Sequence, residues 1–500
     1  MIQGMEPLSQ NIYTAAQVKE LDRYAMEAFH ISGNVLIERA GEAAFQFILA
    51  KWPDCKRLLV LCGTGNNAGD GFVVARLAHE QEFAVRVVQV GDENKLQGDA
   101  LAAQQRLLGS GITPETFTEA LGDEDYDLVI DAMLGTGVRG NIEGNYAVAI
   151  KALNAQTKPV FSIDIPSGLN ADTGVAQGVA VKATKTLTYI GLKQGLITGD
   201  GPEYSGEVLF SDLKLPKALY DMRSPAGYCL DYTNLSQLLP KRLRNAHKGD
   251  FGHVVLIGGA PGMPGAIRLA AEAAARVGAG RITIVTHPEH AMSLNVTRPE
   301  LLCYGVSHAE EIQPLLSLAS VVGIGPGLGQ SKWAQDLLVI AMESGLPMVV
   351  DADALNLLAE SNQQYDNWIL TPHPGEAGRL LGLSTAEIQR DRFKSVDEIS
   401  KQFGGIAVLK GLGSLIKSQQ GLPRVCPYGN PGMASGGMGD VLTGIISGLI
   451  AQGLSNQQAT ELGVVIHSKA GDEAAKVVGE RGMLASDLMS WIRRLVNPKL

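Results

Sequence analysis

Five hundred residues with 45% hydrophobic and 19% charged content describe a globular chain too long for one core, and predict roughly two to four domains. The net charge of −10 argues against general nucleic-acid binding, and five scattered cysteines without a CxxC pair offer neither a disulfide framework nor a zinc site. No signal-peptide pattern opens the chain, and no uncharged apolar run reaches the roughly 18 residues of a membrane span, so a cytoplasmic protein without a membrane partner is expected.

Thr14 and Gln17 form a capping-box pattern that predicts a helix over 15–29, and a second helical stretch covers about 35–50. Short apolar strands then alternate with helices: "RLLVLCG" (57–63), "AVRVVQVG" (84–91), "YDLVIDAMLG" (126–135), "PVFSIDIPSG" (159–168) and "ATKTLTYIG" (183–191). Continuous apolar strands separated by helices imply a parallel sheet buried on both faces. The pattern loosens around 210–250, which places a boundary near 223 and gives domains 1–222 and 223–500. Alternation restarts with "HVVLIGG", "RITIVT", "SVVGIGPGLG", "PMVVDADAL", "WILTPHPGE", "GIAVLKG" and "SLIKS", and the last helices are expected at 437–452 and about 456–477. The fold class is α/β, with two tandem domains.

Ligands of open parallel sheets sit beyond the carboxyl ends of the strands. In the first half, "GTGNNAGDG" (63–71), "DAMLGTGVRGNIEGNY" (131–146) and "DIPSGLN" (164–170) occupy those positions. Gly63-x-Gly65-x-x-Ala68 is a variant of the dinucleotide turn, and alone it reads equally as a structural turn. Asn66, Asn67, Asp70, Asp131, Asp164 and Ser167 all fall at or just past strand ends. Bare carboxylates repel a pyrophosphate, whereas amide, carboxylate and hydroxyl oxygens together suit a hard cation. The bland alternative is that Asp131 and Asp164 cap helices.

In the second half, "GGAPGMPGA" (258–266) and "GIGPGLG" (323–329) follow strands as ligand-binding turns do. "TPHPGE" (371–376) sets His373 and Glu376 at a strand end stiffened by Pro372 and Pro374. A hydrogen-bonded loop histidine and a surface acid are the bland readings of that pair. "GNPGMASGGMGDVLTG" (429–444) carries six glycines in sixteen residues and runs straight into an apolar helix. Glycine lets backbone N–H groups approach a ligand, and a helix N-terminus favours an anion, so the stretch reads as an anion cradle with Asp440 beside it.

Residues 226–500 resemble the ribokinase-like superfamily, whose members end in a G-x-G-D anion hole at a helix N-terminus. "HKGDFGHVVLIGG", "DADALN", "TPHPGE", "KGLGS" and "GGMGDVLTG" together resemble its ADP-dependent NAD(P)H-hydrate dehydratase branch. Met438 within G-x-G-D, and His373-x-x-Glu376 where many kinases carry N-x-x-E, depart from the sugar and vitamin kinases. The N-terminal motifs are similar to those of the fused partner, NAD(P)H-hydrate epimerase. From about 14 to 496 the chain resembles the bifunctional NAD(P)H-hydrate repair enzymes.

That resemblance implies an N-terminal Rossmann-like parallel sheet and a C-terminal ribokinase-like α/β domain. It implies epimerisation of the R and S forms of hydrated NADH and NADPH, and dehydration of the S form with ADP as co-substrate, giving AMP and phosphate. Asp440 would be the catalytic base, with Mg2+ at that site. Lys410, Gly411, Leu412, Gly413, Ser414 and Gly439 would hold the nucleotide, and Ala266, Gly327 and His373 would line the hydrate pocket with Asp440. In the epimerase the hydrate would lie against Asn66, Asn67, Ala68, Gly69 and Asp70. Gly135, Thr136, Gly137, Val138, Arg139, Gly140, Asn141 and Tyr146 would complete its pocket, with Asp164 as contact and acid/base. A potassium ion (K+) would bind Asn67, Asp131 and Ser167. The partners are then small molecules, and a homo-oligomer is expected. Lys241, Arg242, Arg244 and Lys248 form a basic run able to attract phosphates, although such a run is more often a solvated face. The competing reading is a small-molecule kinase with a non-catalytic N-terminal domain.

Overall fold

The computed structural model describes residues 10–118, 121, 125–361 and 363–497. The chain divides into two compact units, Met1–Tyr228 and Cys229–Leu500. A boundary near 223 falls between the helix Ala218–Asp221 and the strand Gly227–Cys229.

The first unit opens with the expected helix, Ala15–Phe29, whose N-terminus is closed by reciprocal bonds between Thr14 and Gln17. Ser32 caps the next helix, Gly33–Lys51, by accepting from the Val35 N–H. A seven-stranded sheet follows: β1 (Arg57–Cys62), β2 (Ala84–Gln89), β3 (Glu115–Thr116), β4 (Leu128–Ala132), β5 (Val160–Ile163), β6 (Lys185–Tyr189) and β7 (Glu207–Ser211). All their ladders are parallel, in the order β3-β2-β1-β4-β5-β6-β7. This is the doubly wound arrangement, and the direction of winding reverses between β1 and β4. The crevice at such a reversal lies between the loops that leave β1 and β4. Strand β7 sits where the sequence pattern loosens; only Val208 and Leu209 are buried, the other three residues are half-buried, and a five-residue ladder with β6 holds it in the sheet.

The second unit repeats the plan with β8 (His253–Ile257), β9 (Arg281–Thr286), β10 (Leu302–Gly305), β11 (Val321–Ile324), β12 (Met348–Val350), β13 (Trp368–Leu370), β14 (Ile406–Leu409), β15 (Ser414–Ser418) and β16 (Arg424–Cys426). Their order is β10-β9-β8-β11-β12-β13-β14-β15-β16, parallel as far as β14 and antiparallel from there to β16. The winding reverses again, between β8 and β11.

The core of this unit is built around the helices Pro264–Val277 and Met438–Ala451. A Cβ at Gly444 would lie 2.0 Å from the Ala270 carbonyl oxygen, and one at Gly448 would lie 2.3 Å from Val277. These glycines let two helices pack closely, so Gly444 does not belong to the anion cradle. The basic run is corrected in one member too. Arg242 donates through Nη2 to the Gly278 carbonyl (2.5 Å) and Gln452 Oε1 (2.7 Å), and its guanidinium stacks 3.6 Å from the Phe251 ring centroid. It ties down the C-terminal ends of those two helices and is not free for a phosphate.

Candidate active sites

In the first unit the chain leaves β1 through Gly63, where a Cβ would lie 1.8 Å from the Met133 carbonyl oxygen. The loops after β1 and β4 therefore touch at this point, and only glycine fits. Gly65 opens the helix Asn66–Glu80. From its first turn, Asn67 donates through Nδ2 to the Leu134 carbonyl (3.2 Å), and the Leu134 N–H donates to Ser167 Oγ (2.8 Å). Asp131, fully buried, accepts from Ser162 Oγ (2.8 Å), the Ser167 N–H (2.8 Å) and Ser167 Oγ (2.5 Å). Burial pushes its carboxyl up, and the serine hydrogen bonds oppose that. Neither Asp131 nor Asp164 caps a helix; Asp131 is instead the tie that binds the ends of β4 and β5.

Asn67 Oδ1 is buried and has no hydrogen-bond partner among the described residues. Tyr146 places its hydroxyl 3.4 Å from Thr64 Oγ1 and over Gly91, and Gly137, Arg139 and Gly140 lie exposed in the loop after β4. Ala68 and Gly69 face inward: Ala68 is fully buried, and a Cβ at Gly69 would meet Ile37 (2.9 Å) and Ala100 (3.2 Å). The Ala68 N–H already donates to the Gly65 carbonyl (3.0 Å).

Asp164 follows β5 with φ at +67°, a strained left-handed conformation for a residue with a side chain. Its Oδ1 accepts from the Tyr189 N–H (3.3 Å) and from Lys193 Nζ, which is buried. Asp70 and Asp22 share this pocket. Burial, then the Asp164 and Asp22 carboxyls, push Asp70 well above the usual carboxylate range, with Lys193 opposing. Burial also lifts Asp22 to about 6, against the pull of Lys193. Sequence reading missed Lys193 and Asp22. The signal for the first was a lone lysine inside the glycine-flanked apolar segment "TLTYIGLKQGL".

In the second unit the loops after β8 and β11 meet at Gly327, whose φ is +59° and whose Cβ would fall 2.6 Å from the Met263 carbonyl oxygen and 3.2 Å from Ala266 Cβ. Asp351, at the end of β12, is buried and accepts from Lys410 Nζ (2.8 Å) and Thr443 Oγ1 (3.0 Å). Burial alone would raise its carboxyl, but Lys410 and these bonds hold it below the ordinary value. Lys410 Nζ also lies 3.7 Å from Glu376 Oε2. His373 and Glu376 turn out to form a capping box. His373 Nδ1 accepts from the Gly375 N–H (2.9 Å), and Glu376 Oε2 accepts from the His373 N–H (2.8 Å). The hydrogen-bonded reading of the histidine thus has a definite geometry, while Glu376 is buried rather than a surface acid.

Met438–Ala451 begins after Gly437, which sits at φ +90°, and Asp440 stands in its first turn. Gly439 keeps room for the ion pair, since a Cβ there would lie 3.0 Å from Lys410 Nζ and 3.3 Å from Asp351 Oδ2. Burial, followed by the Asp351 carboxylate, pushes Asp440 up to about 7, with Lys410 opposing. The 410–414 turn is held from behind by the buried Arg392, whose Nη2 donates to the carbonyls of Leu409 (3.2 Å) and Lys410 (3.3 Å). Leu412 is exposed at the tip, and Ser414 Oγ donates back to the Gly411 carbonyl (2.9 Å). Asp351, Thr443 and Arg392 were invisible as site residues in the sequence. So was the buried His467, which burial drives down to about 4 and hence keeps neutral. Chemically, a carboxyl poised near neutrality beside a helix N-terminus and the half-buried Lys410 ammonium can take a proton while negative charge is held next to it.

Two families match the chain, one described as "YjeF-related protein N-terminus" over residues 33–195 and one as "NAD(P)H-hydrate dehydratase" over residues 254–494. The bifunctional NAD(P)H-hydrate repair enzyme of Coxiella burnetii is 49% identical over 487 residues, which span 97% of this chain and 99% of that relative. The enzyme of the same description from Escherichia coli is 40% identical over 489 residues, 98% of this chain and 94% of the relative. Among solved structures, a hypothetical protein from Streptococcus mutans matches with a TM-score of 0.50 at 29% identity, covering 54% of this chain and 98% of its own.

Proposed function

This chain belongs to the family of bifunctional NAD(P)H-hydrate repair enzymes, and from that premise we propose how its two sites divide the work. It is an isomerase fused to a lyase: the first unit interconverts the epimers of hydrated NADH and NADPH, and the second dehydrates the S epimer. Whole-length kinship at 49% identity favours this over a small-molecule kinase with an idle N-terminal domain.

For the dehydratase, the observation that carries the reading is Asp440 at the N-terminus of Met438–Ala451, beside the Lys410–Asp351 pair. Asp440 takes the proton of the hydrate's hydroxyl, whose oxygen attacks the terminal phosphoryl group of ADP and releases AMP. The N–H groups of the Gly436–Gly439 turn and Lys410 stabilise the charge on the moving phosphoryl group. The ring nitrogen then expels phosphate, and loss of a proton from the neighbouring carbon restores the double bond. The nucleotide lies along residues 410–414 with Gly439, and the hydrate against Ala266, Gly327 and His373. Magnesium neutralises phosphate charge in such transfers. Among the described residues no group of three or more His, Cys, Asp or Glu side chains is placed to hold a metal ion.

For the epimerase, Asp164 supplies the acid/base function at the carbon bearing the hydroxyl, and the loops 66–70 and 135–141 with Tyr146 hold the hydrate. The unpartnered Asn67 Oδ1, with Ser167 Oγ and Asp131, fits a large monovalent cation, and we assign these three residues to potassium. Such an ion would hold the strand-end loops in register. Among the described residues no helix is long and apolar enough to cross a membrane. The protein is proposed to act in the cytoplasm as a homo-oligomer, on small molecules alone. The test is to supply hydrated NADH, ADP and magnesium and follow the return of NADH absorbance. Failure to regenerate NADH would refute the assignment.

A further inference from the structure

The epimerase pocket contains more acid than its charge can balance. Asp22 from the helix Ala15–Phe29, Asp70 from Asn66–Glu80 and Asp164 after β5 all face Lys193, and among the described residues it is the one cation that acts on Asp22 and Asp70. Tyr189 on β6 and Cys62 on β1 also face Asp70, and burial keeps both neutral. Tyr189 is further occupied, its hydroxyl donating to the Ala40 carbonyl (3.0 Å).

Lys193 has three N–H donors, and all are spent. They go to Asp164 Oδ1, Thr188 Oγ1 (3.1 Å) and the Tyr189 carbonyl (2.9 Å). None is left for Asp70 or Asp22. The single negative charge that the buried ammonium can compensate therefore sits on Asp164, in a conformation that the ion pair helps to hold at φ +67°. A second buried carboxylate, on Asp70, would be uncompensated, and such a group takes up a proton instead.

Resting on the epimerase reading above, we propose that this site splits its proton work between two carboxyls, with Lys193 holding Asp164 as the ionised base and Asp70 serving as the protonated acid. Asp70 gives its proton to the departing hydroxyl, and the C–O bond breaks with its electron pair going to oxygen, so that water leaves. The ring nitrogen's lone pair closes the C=N bond. Water then adds to the opposite face, forming the new C–O bond, and its surplus proton goes to Asp164. Return of that proton to Asp70 resets the site with no other reactant consumed. Opposed protonation states in neighbouring carboxyls are how one site supplies both an acid and a base. Lys193 acts through Asp164 and is a positioning residue.

The experiment measures epimerisation of the R hydrate above its spontaneous rate in the full-length protein, across pH, for the parent and for Asp70→Asn, Asp70→Glu, Asp22→Asn, Lys193→Met and Lys193→Arg. The parent rate should fall on the alkaline side as Asp70 loses its proton. Asp70→Asn, nearly isosteric, should lose about 100-fold or more, and Asp70→Glu should recover part of that. Asp22→Asn removes a neighbouring carboxylate, so it should move the alkaline decline to lower pH. Lys193→Met should abolish epimerisation and Lys193→Arg should restore a fraction. A parent that fails to epimerise would refute the epimerase reading itself. A working parent whose Asp70→Asn variant stays within about threefold of it, or whose alkaline decline is unmoved by Asp22→Asn, would overturn the assignment of Asp70 alone. A Lys193→Met variant with the parent's rate and pH profile would overturn the role of Lys193.

Discussion

Replacing Asp440 by asparagine should separate catalysis from stability in opposite directions. Burial and the Asp351 carboxylate raise the Asp440 carboxyl from 3.8 to about 7. A base must be ionised to work, so kcat/KM for dehydration should follow the ionised fraction, about half at pH 7 and about a tenth at pH 6. The sign for stability is the reverse. The folded protein binds this proton more tightly than the unfolded chain does, so its penalty is absent below about pH 4 and complete above about pH 7. A shift of that size corresponds to an upper figure of about 4 kcal/mol, since one unit is worth about 1.4 kcal/mol. Asp440→Asn removes the charge, and should cut turnover by about 100-fold or more while raising thermal stability at pH 8 relative to the parent. At pH 4, where the parent carboxyl is already protonated, the two proteins should unfold at similar temperatures. The assays are NADH regeneration from the S hydrate at saturating ADP, nucleotide binding by calorimetry, and calorimetric unfolding at both pH values. ADP binding should survive. A variant with near-parental turnover, or a parent rate that is flat between pH 5.5 and 8, would refute the reasoning.

A fragment of residues 226–500 should dehydrate only the S epimer, leaving about half of a freshly prepared mixture until the N-terminal fragment is added, as expected of independent cores; complete consumption faster than spontaneous epimerisation would contradict the division of labour. Asp131→Ala should abolish epimerase activity and leave dehydration unchanged, and activity after dialysis into sodium, lithium or potassium should be highest in potassium; structures with magnesium at Asn67, or full activity with the site empty in potassium, would sink the ion assignment. Gly444→Ala forces a Cβ to within 2.0 Å of the Ala270 carbonyl oxygen, so it should cost roughly 1–3 kcal/mol or more in denaturant unfolding without altering the ligand contacts of the cradle.

Local pattern sufficed where the physics is local. The Thr14–Gln17 box, the apolar strands and the restart of alternation near 250 are written in adjacent residues, and the helices and sheets follow them. The motifs at strand ends were legible for the same reason, because a parallel sheet places its loops wherever an apolar run stops. What the sequence left open depended on residues brought together from afar. "GNPGMASGGMGDVLTG" has six glycines, and nothing local separates Gly444, which admits the backbone of Ala270, from Gly439, which makes room for Lys410 and Asp351. His373-x-x-Glu376 carried two readings until the bonds to Gly375 and His373 N–H groups were seen. Lys193 meets Asp164 across 29 residues, and Lys410 meets Asp351 across 59. Charges of that kind are set by burial and by partners distant in the chain, and a group's protonation depends on the water it has lost. The sequence by itself therefore determined most of the strands and helices and the loops that carry chemistry. It did not determine β3, β7, β10 and β16, which lack a pattern of their own and are strands through their neighbours. Only the tertiary structure decided which carboxyls are paired and which keep a proton, because desolvation and Coulomb energy act through space and not along the chain.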